Sequence, residues 1–155
     1  MEQESILGVI PSVHSGLLGQ RAYNLVVTRA GIIVAQLTSD MIREEAGRAS
    51  REAKEEGKGL LKRTLATMSA GMTLYQRYFT MVPAAILAEN QGNFMIPVEH
   101  IKSLKIKKGR MDDQSRQQSD ELRIKWSGGK NTYSFTSISA REAKELLGRM
   151  YPGVK

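Results

Sequence analysis

Residues 22–37, AYNLVVTRAGIIVAQL, carry two apolar runs, 23–27 and 32–37, on either side of Thr28-Arg29-Ala30-Gly31. β-Branched runs joined by a short glycine-containing link read as strand, tight turn, strand. This hairpin constrains the fold more than any other stretch, because a lone hairpin is marginal at best in water. The rest of its sheet must lie elsewhere in the chain.

The other strand candidates are short and separated by turns. Residues 6–10 alternate weakly and stop at Pro11, after which His14-Ser15-Gly16 reads as loop. Residues 93–96 form a short strand before Pro97, 98–101 a local turn, and 103–108 the next strand. A polar loop over 109–119 leads to a clear alternation at 121–126. Ser127-Gly128-Gly129-Lys130 is then a hairpin turn, with 133–136 returning.

Between these groups the period changes. Ser39-Asp40 offers a helix cap, and Ile42, Ala46, Ala49 and Ala53 fall on one helical face. After Gly57-Lys58-Gly59 the same spacing continues in Leu61, Leu65, Met68, Met72, Tyr75 and Phe79. The pattern predicts helices over roughly 40–56 and 59–80, hinged at the glycines. The 83–88 segment reads as a short helical turn, and Asn90-Gln91-Gly92 as a turn. Ser139 opens a last helix with Glu142 at capping-box spacing; Ala143, Leu146, Leu147 and Met150 form its buried face, and Pro152-Gly153 ends it. Strands, helices, strands and a final helix describe an α+β chain, mainly β, with an antiparallel sheet or small sandwich. At 155 residues, such a chain can bury a substantial core.

The segments ILGVI (6–10), YNLVVT (23–28) and GIIVA (31–35), then NFMIPVEHIKSLKIK (93–107) and AREAKELL (140–147), occur in an order that resembles the bacterial and archaeal pleckstrin-homology-like domains. The resemblance covers roughly 5–38 and 86–150. It implies a single domain over 1–155: two packed antiparallel sheets, or a partly open barrel, with one end closed by the C-terminal helix. Residues 39–82 would be a helical insertion that a minimal domain of this type lacks. The family shares no catalytic residues, and its members include lipid-binding and protein-binding modules.

The residues offer little chemistry. Neither Gly57-Lys58 nor Gly129-Lys130 completes a phosphate-binding loop: Glu52 and Ile124 stand where the first glycine belongs, and Gly59 and Asn131 where Ser or Thr belongs. Gly16-Leu-Leu-Gly19 lacks the first glycine of a dinucleotide fingerprint. His14 and His100 do not form a paired zinc motif, and Asp112-Asp113 sits in a polar loop that solvates it. No cysteine is present, which excludes disulfides and thiolate metal sites and fits a reducing compartment. The chain reads as a non-enzyme without metal or cofactor. The run 64–87 is interrupted by Gln76-Arg77 and Pro83, too soon for a membrane span. MEQESILGVIP has acids where a secretory signal needs basic residues, so a cytosolic location is expected.

The formal net charge of +7 favours acidic partners, unless it serves solubility alone. Alternation puts Leu104 and Ile106 on one face of their strand and Lys105 and Lys107 on the other; likewise Leu122, Ile124 and Trp126 oppose Arg123 and Lys125. If these strands are neighbours, Lys105, Lys107, Arg123 and Lys125 form one exposed basic face, with Lys102, Lys108 and Arg110 at its edges. The plain alternative is a solvated outer face whose lysines discourage edge pairing. Specific nucleic acid is not expected, because Trp126, Tyr133 and Phe135 fall on the inner face, away from the cations.

Two functional expectations follow. The first is a binding and assembly module that meets a protein partner, chiefly its own copy, through Leu61, Leu65, Met68, Met72, Tyr75 and Phe79. The second is a peripheral membrane module whose basic face takes anionic lipid headgroups.

Overall fold

The computed structural model describes residues 6–16, 21–55, 74–111, 113–114 and 118–155. The strands are β1 (Ile6–Ser15), β2 (Arg21–Thr28), β3 (Gly31–Gln36), β4 (Phe94–Pro97), β5 (Ile101–Lys107), β6 (Asp120–Trp126) and β7 (Gly129–Phe135). They make one seven-stranded sheet in the order β4-β3-β2-β1-β7-β6-β5, with antiparallel pairing throughout.

That order forces the sheet to roll. β4 and β5 lie at its opposite ends, which on a flat sheet would be six strand spacings of ~4.8 Å, about 29 Å, apart. Yet β4 ends at Pro97 and β5 begins at Ile101. Four residue steps reach ~14 Å at most. The edges therefore curl toward each other, and Phe94 of β4 stacks on Trp126 of β6 with ring centroids 6.3 Å apart. The 3₁₀ turn Val98–His100 is tied to the β2–β3 and β6–β7 turns: Val98 N–H donates to the Ala30 carbonyl (2.8 Å), and Ser127 N–H donates to the His100 carbonyl (3.0 Å).

Rolling creates an inner face. Its core runs from Val13 of β1 through Leu25, Ile32, Ile96 and Leu104 to Ile124 and Phe135. The last helix, α3 (Ala140–Met150), adds Ala143, Leu147 and Met150 to it, while Leu146 is partly buried against it. Ser139 caps α3 as its spacing predicts, accepting the Glu142 N–H at 3.1 Å. The chain then turns back along β5: Ile106 N–H donates to the Lys155 carbonyl (2.8 Å), and Lys155 N–H donates to that of Leu104 (3.0 Å).

The hairpin expected over 22–37 is present, with Thr28 facing Gly31 across the turn. Gly31 is required by its other neighbour: a Cβ there would lie 2.1 Å from the Ile96 carbonyl oxygen of β4. The first strand does not stop at Pro11. It continues to Ser15 through a register shift between Ile10 and Val13, with Ser12 at φ 53°. A bulge accommodates a proline, which has no N–H to donate. The Ser12 N–H is satisfied by Asn24 Oδ1 at 2.9 Å. His14 and Ser15 thus belong to the strand rather than to a loop.

Between β3 and β4 lie α1 (Ser39–Glu55), a 3₁₀ helix (Leu74–Thr80) and α2 (Pro83–Glu89). The cap of α1 falls one residue earlier than expected: Thr38 Oγ1 accepts the Met41 N–H at 3.2 Å. Of the predicted 59–80 helix, 59–73 lies outside the described residues. Its end at Leu74–Thr80 is 3₁₀ rather than α. The tighter winding places every third residue in line, which aligns Tyr75, Tyr78 and Met81. Tyr78 is fully buried on the outer side of the sheet, with Val9, Val26, Ile33, Ala35 and Ile86, and Tyr75 and Met81 pack against this second core. Asn93 clamps α2 to β3, accepting the Gln36 N–H (2.7 Å) and donating to the Ile86 carbonyl (2.8 Å).

Candidate functional site: an exposed basic sheet face

Among the described residues, the sheet's outer side is covered over β1–β4 and left largely uncovered over β5–β7. On the open part, the register sets the side chains out in rows. Lys105 faces Arg123, which faces Thr132; Ser103 faces Lys125, which faces Lys130; and Lys107 faces Glu121, which faces Ser134. Directly opposed residues carry Cβ atoms ~4.5–5.5 Å apart. The predicted grouping of Lys105, Lys107, Arg123 and Lys125 is therefore present, and all four are exposed. Leu104, Leu122 and Ile124 are buried on the opposite side, as the alternation requires.

Lys102 and Lys108 stand apart from the rows. Lys102 lies in the register shift between Ile101 and Ser103, and its carbonyl accepts the Tyr151 hydroxyl at 3.4 Å. Lys108 follows the last residue of β5, is exposed, and lines a smaller depression of about 240 Å³ with Lys107, Arg110 and Glu121.

Acids do little to neutralise the face. Glu121 carries the carboxylate within the rows, and Arg123 Nη2 reaches its Oε2 at 3.4 Å. Both partners are more than a third exposed, so this pair adds ~0–1 kcal/mol and is readily exchanged. Elsewhere the cations face each other: Lys105 against Arg123, and Lys125 against Lys130. Like charges opposed across strands destabilise a sheet. Glu121, Arg123, Lys125, Lys130, Asn131 and Thr132, with Ile124, line a depression of about 550 Å³.

Lys130, with the hydroxyl residues Ser103, Thr132 and Ser134, is part of the site that sequence reading missed. The sequence pattern puts Lys130 in the turn and the returning strand at 133–136. The usable signal was the closing pair: Trp126 against Gly129 leaves a two-residue turn and brings Lys130 opposite Lys125.

The second predicted surface is only partly described. Leu61, Leu65, Met68 and Met72 lie outside the described residues. Tyr75 is half-buried and meets Phe79 edge-to-face at 6.5 Å. Phe79 is 51% exposed, and Val82, close by in the chain, 46%. Tyr78, absent from the predicted stripe, is the residue that anchors this segment. Burial raises its pKa, with Asn24 and Arg77 opposing the shift. Its hydroxyl donates to Glu89 Oε1 at 3.4 Å, and Glu89 also pairs with Arg77. Along α1, Glu45 pairs with Arg48, and that hydrogen bond holds the Glu45 pKa below its ordinary value.

His14 and His100 are both exposed; His14 lies beside the basic rows, opposite Ser134. Among the described residues, no cluster of His, Asp or Glu is placed to hold a metal ion, and no helix is long and apolar enough to cross a membrane. Comparison with known proteins finds no matching family model, curated protein or solved structure.

Proposed function

We propose that this chain is a non-enzymatic binding module with a pleckstrin-homology-like architecture, and that the outer face of β5–β7 attaches it peripherally to an anionic membrane surface. The observation that carries this reading is the register: Lys105, Arg123, Lys125 and Lys130 are brought side by side on an exposed face, where, among the described residues, Glu121 is the one acid in the rows. Each lysine or arginine near an anionic leaflet contributes ~1 kcal/mol. The face is shallow and its cations are spread along strands, which suits a charged surface better than an enclosed small molecule. The rolled sheet, the Ile96-Pro97 link into a short turn, and the terminal helix support the architectural part of the proposal.

The test is sedimentation with vesicles of zwitterionic lipid, alone and mixed with anionic lipid. Binding is expected only to the anionic mixture, and it should vanish near ~0.5 M salt, where the Debye length is only a few ångströms. Equal pelleting with zwitterionic vesicles, or none with anionic vesicles at low salt, would refute the reading.

Exposed Phe79 and Val82 favour a second reading, self-association through the segment between β3 and β4. The described part of that segment supports it less, because Tyr78, Ile86 and Met81 pack on the chain's own sheet. A solution mass above the monomer that persists at ~0.5 M salt and falls on Phe79→Ser would favour assembly. A monomer under both conditions would exclude it.

A further inference from the structure

We infer that His14 makes the attachment of the open sheet face pH-dependent, by adding a positive charge at its border as the medium turns acidic. The inference rests on the membrane-facing reading of that face and deepens it by naming how the attachment is regulated.

The register places His14 in one of the rows. It stands opposite Ser134, Ser134 opposite Glu121, and Glu121 opposite Lys107. Tyr133 and Phe135, on either side of Ser134, are buried in the inner core, so Ser134 points outward. Directly opposed residues share a face, which puts His14 on the outer side as well. The row is thereby continued from β5, β6 and β7 onto a fourth strand. Further back along β1 the outer side is closed, with Val9 buried alongside Tyr78. His14 itself is exposed, where that cover gives way to the open face. The Ser134 hydroxyl donates to the His14 carbonyl at 3.3 Å and ties the two strands at this point.

The charges around His14 decide what its protonation does. Within the row, Lys107 and Glu121 offset each other, so a charged imidazole turns a neutral row into a cationic one. From β2, Arg21 stands opposite the next residue, Ser15. From the 3₁₀ segment packed on β1, the charged group is Arg77, which Glu89 pairs with. The last helix, α3, meets β1 at its other end, through Leu146 at Gly8. Arg21 opposes a positive imidazole and Glu121 favours it, both through solvent that screens them. Histidine is the side chain whose charge changes between pH 5 and 8. Beside an anionic leaflet its cation is attracted as a lysine is. Proton binding and membrane binding then strengthen each other by the same factor, as linkage requires. His100, on the turn between β4 and β5, belongs to none of the rows.

The test is sedimentation with vesicles of zwitterionic lipid mixed with phosphatidylglycerol, at about pH 5.5 and about pH 7.5 and at one low ionic strength, the two values spanning the histidine range. The phosphodiester of phosphatidylglycerol keeps its charge at both. The parent should bind about fivefold more tightly in acid, the effect of one added cation near such a surface. His14→Gln should bind at both pH values as the parent does at the higher one, and His14→Lys as the parent does at the lower one. His100→Gln and Glu121→Gln should keep the response. Equal binding of the parent at the two pH values, a response that survives His14→Gln, or one that is lost in Glu121→Gln or His100→Gln would overturn the inference and leave the membrane reading standing. No binding at either pH would overturn both.

Discussion

β3 and β6 belong to the same sheet, yet their outward-facing residues meet different fates. In β3 the outward residues are Ile33 and Ala35, both fully buried under Tyr78 and Ile86. In β6 they are Glu121, Arg123 and Lys125, with no layer above them among the described residues. The sequence differs accordingly. GIIVAQ is an almost unbroken apolar run, as a strand covered on both sides requires, whereas DELRIKW alternates, as a strand with one wet face requires. The described part of the chain between β3 and β4 packs over the strands beside it through Tyr78, Met81 and Ile86. One half of the sheet is thereby buried on both sides, while the other half presents charged side chains on its outer side.

The largest effect should come from uncovering the closed half. Tyr78→Ala removes a fully buried aromatic side chain and should lower the unfolding free energy by ~3–5 kcal/mol in a denaturant titration. Lys125→Ala, an outward position of the open half, should stay within ~0.5 kcal/mol of the parent. Similar losses for the two variants would break the distinction between the halves.

Gly31→Ala comes next. The added Cβ meets the Ile96 carbonyl at 2.1 Å, so β4 must shift away from β3. We expect a loss of more than ~1 kcal/mol and faster amide exchange at Met95 and Pro97's neighbours, with β5–β7 unaffected. Unchanged exchange in β4 would contradict the close approach.

The inner core that the halves share gives a pH test. Burial pushes the Tyr133 hydroxyl up to about 12 from an ordinary value of 10. A raised folded pKa means that its contribution to stability is complete below pH 10 and is lost as pH rises through about 12. Stability should fall over that window, and Tyr133 should ionise late in a tyrosinate absorbance titration. Substitution by Phe should flatten the fall; an unchanged pH dependence in Tyr133→Phe would sink this assignment.

The smallest effect has an unusual sign. Lys130→Glu replaces a repulsive cross-strand pair with an attractive one opposite Lys125. Stability should rise by ~0.2–1 kcal/mol while binding to anionic vesicles weakens. Loss of both stability and binding would mean that Lys130 supports the fold rather than the site.

Much of this contrast was legible in the sequence because strand alternation is local. Lys105, Lys107, Arg123 and Lys125 could be assigned to one face from period two alone, and Ser139 with Glu142 marked the start of α3. What escaped depended on nonlocal partners. Pro11 reads as a strand end until Asn24, on the neighbouring strand, takes up the Ser12 N–H of the bulge. Tyr78 is invisible to a four-three helical pattern, because a 3₁₀ segment aligns Tyr75, Tyr78 and Met81 instead and turns Phe79 outward. Lys130 was hidden by one uncertainty in the length of a turn. The rolling of the sheet follows from strand order together with the short link at Val98–His100, and strand order is not written in any single segment.

If the open half of the sheet is the binding face, bound membrane should be felt there first. The most direct measurement is a map of backbone amide shifts on adding nanodiscs that contain anionic lipid, residue by residue. Perturbations should cluster at 103–107, 121–125 and 130–134, and disappear in a Lys105→Glu, Arg123→Glu, Lys125→Glu combination that remains folded. Perturbations centred on 75–89 instead, or the same map from the charge-reversed protein, would contradict it.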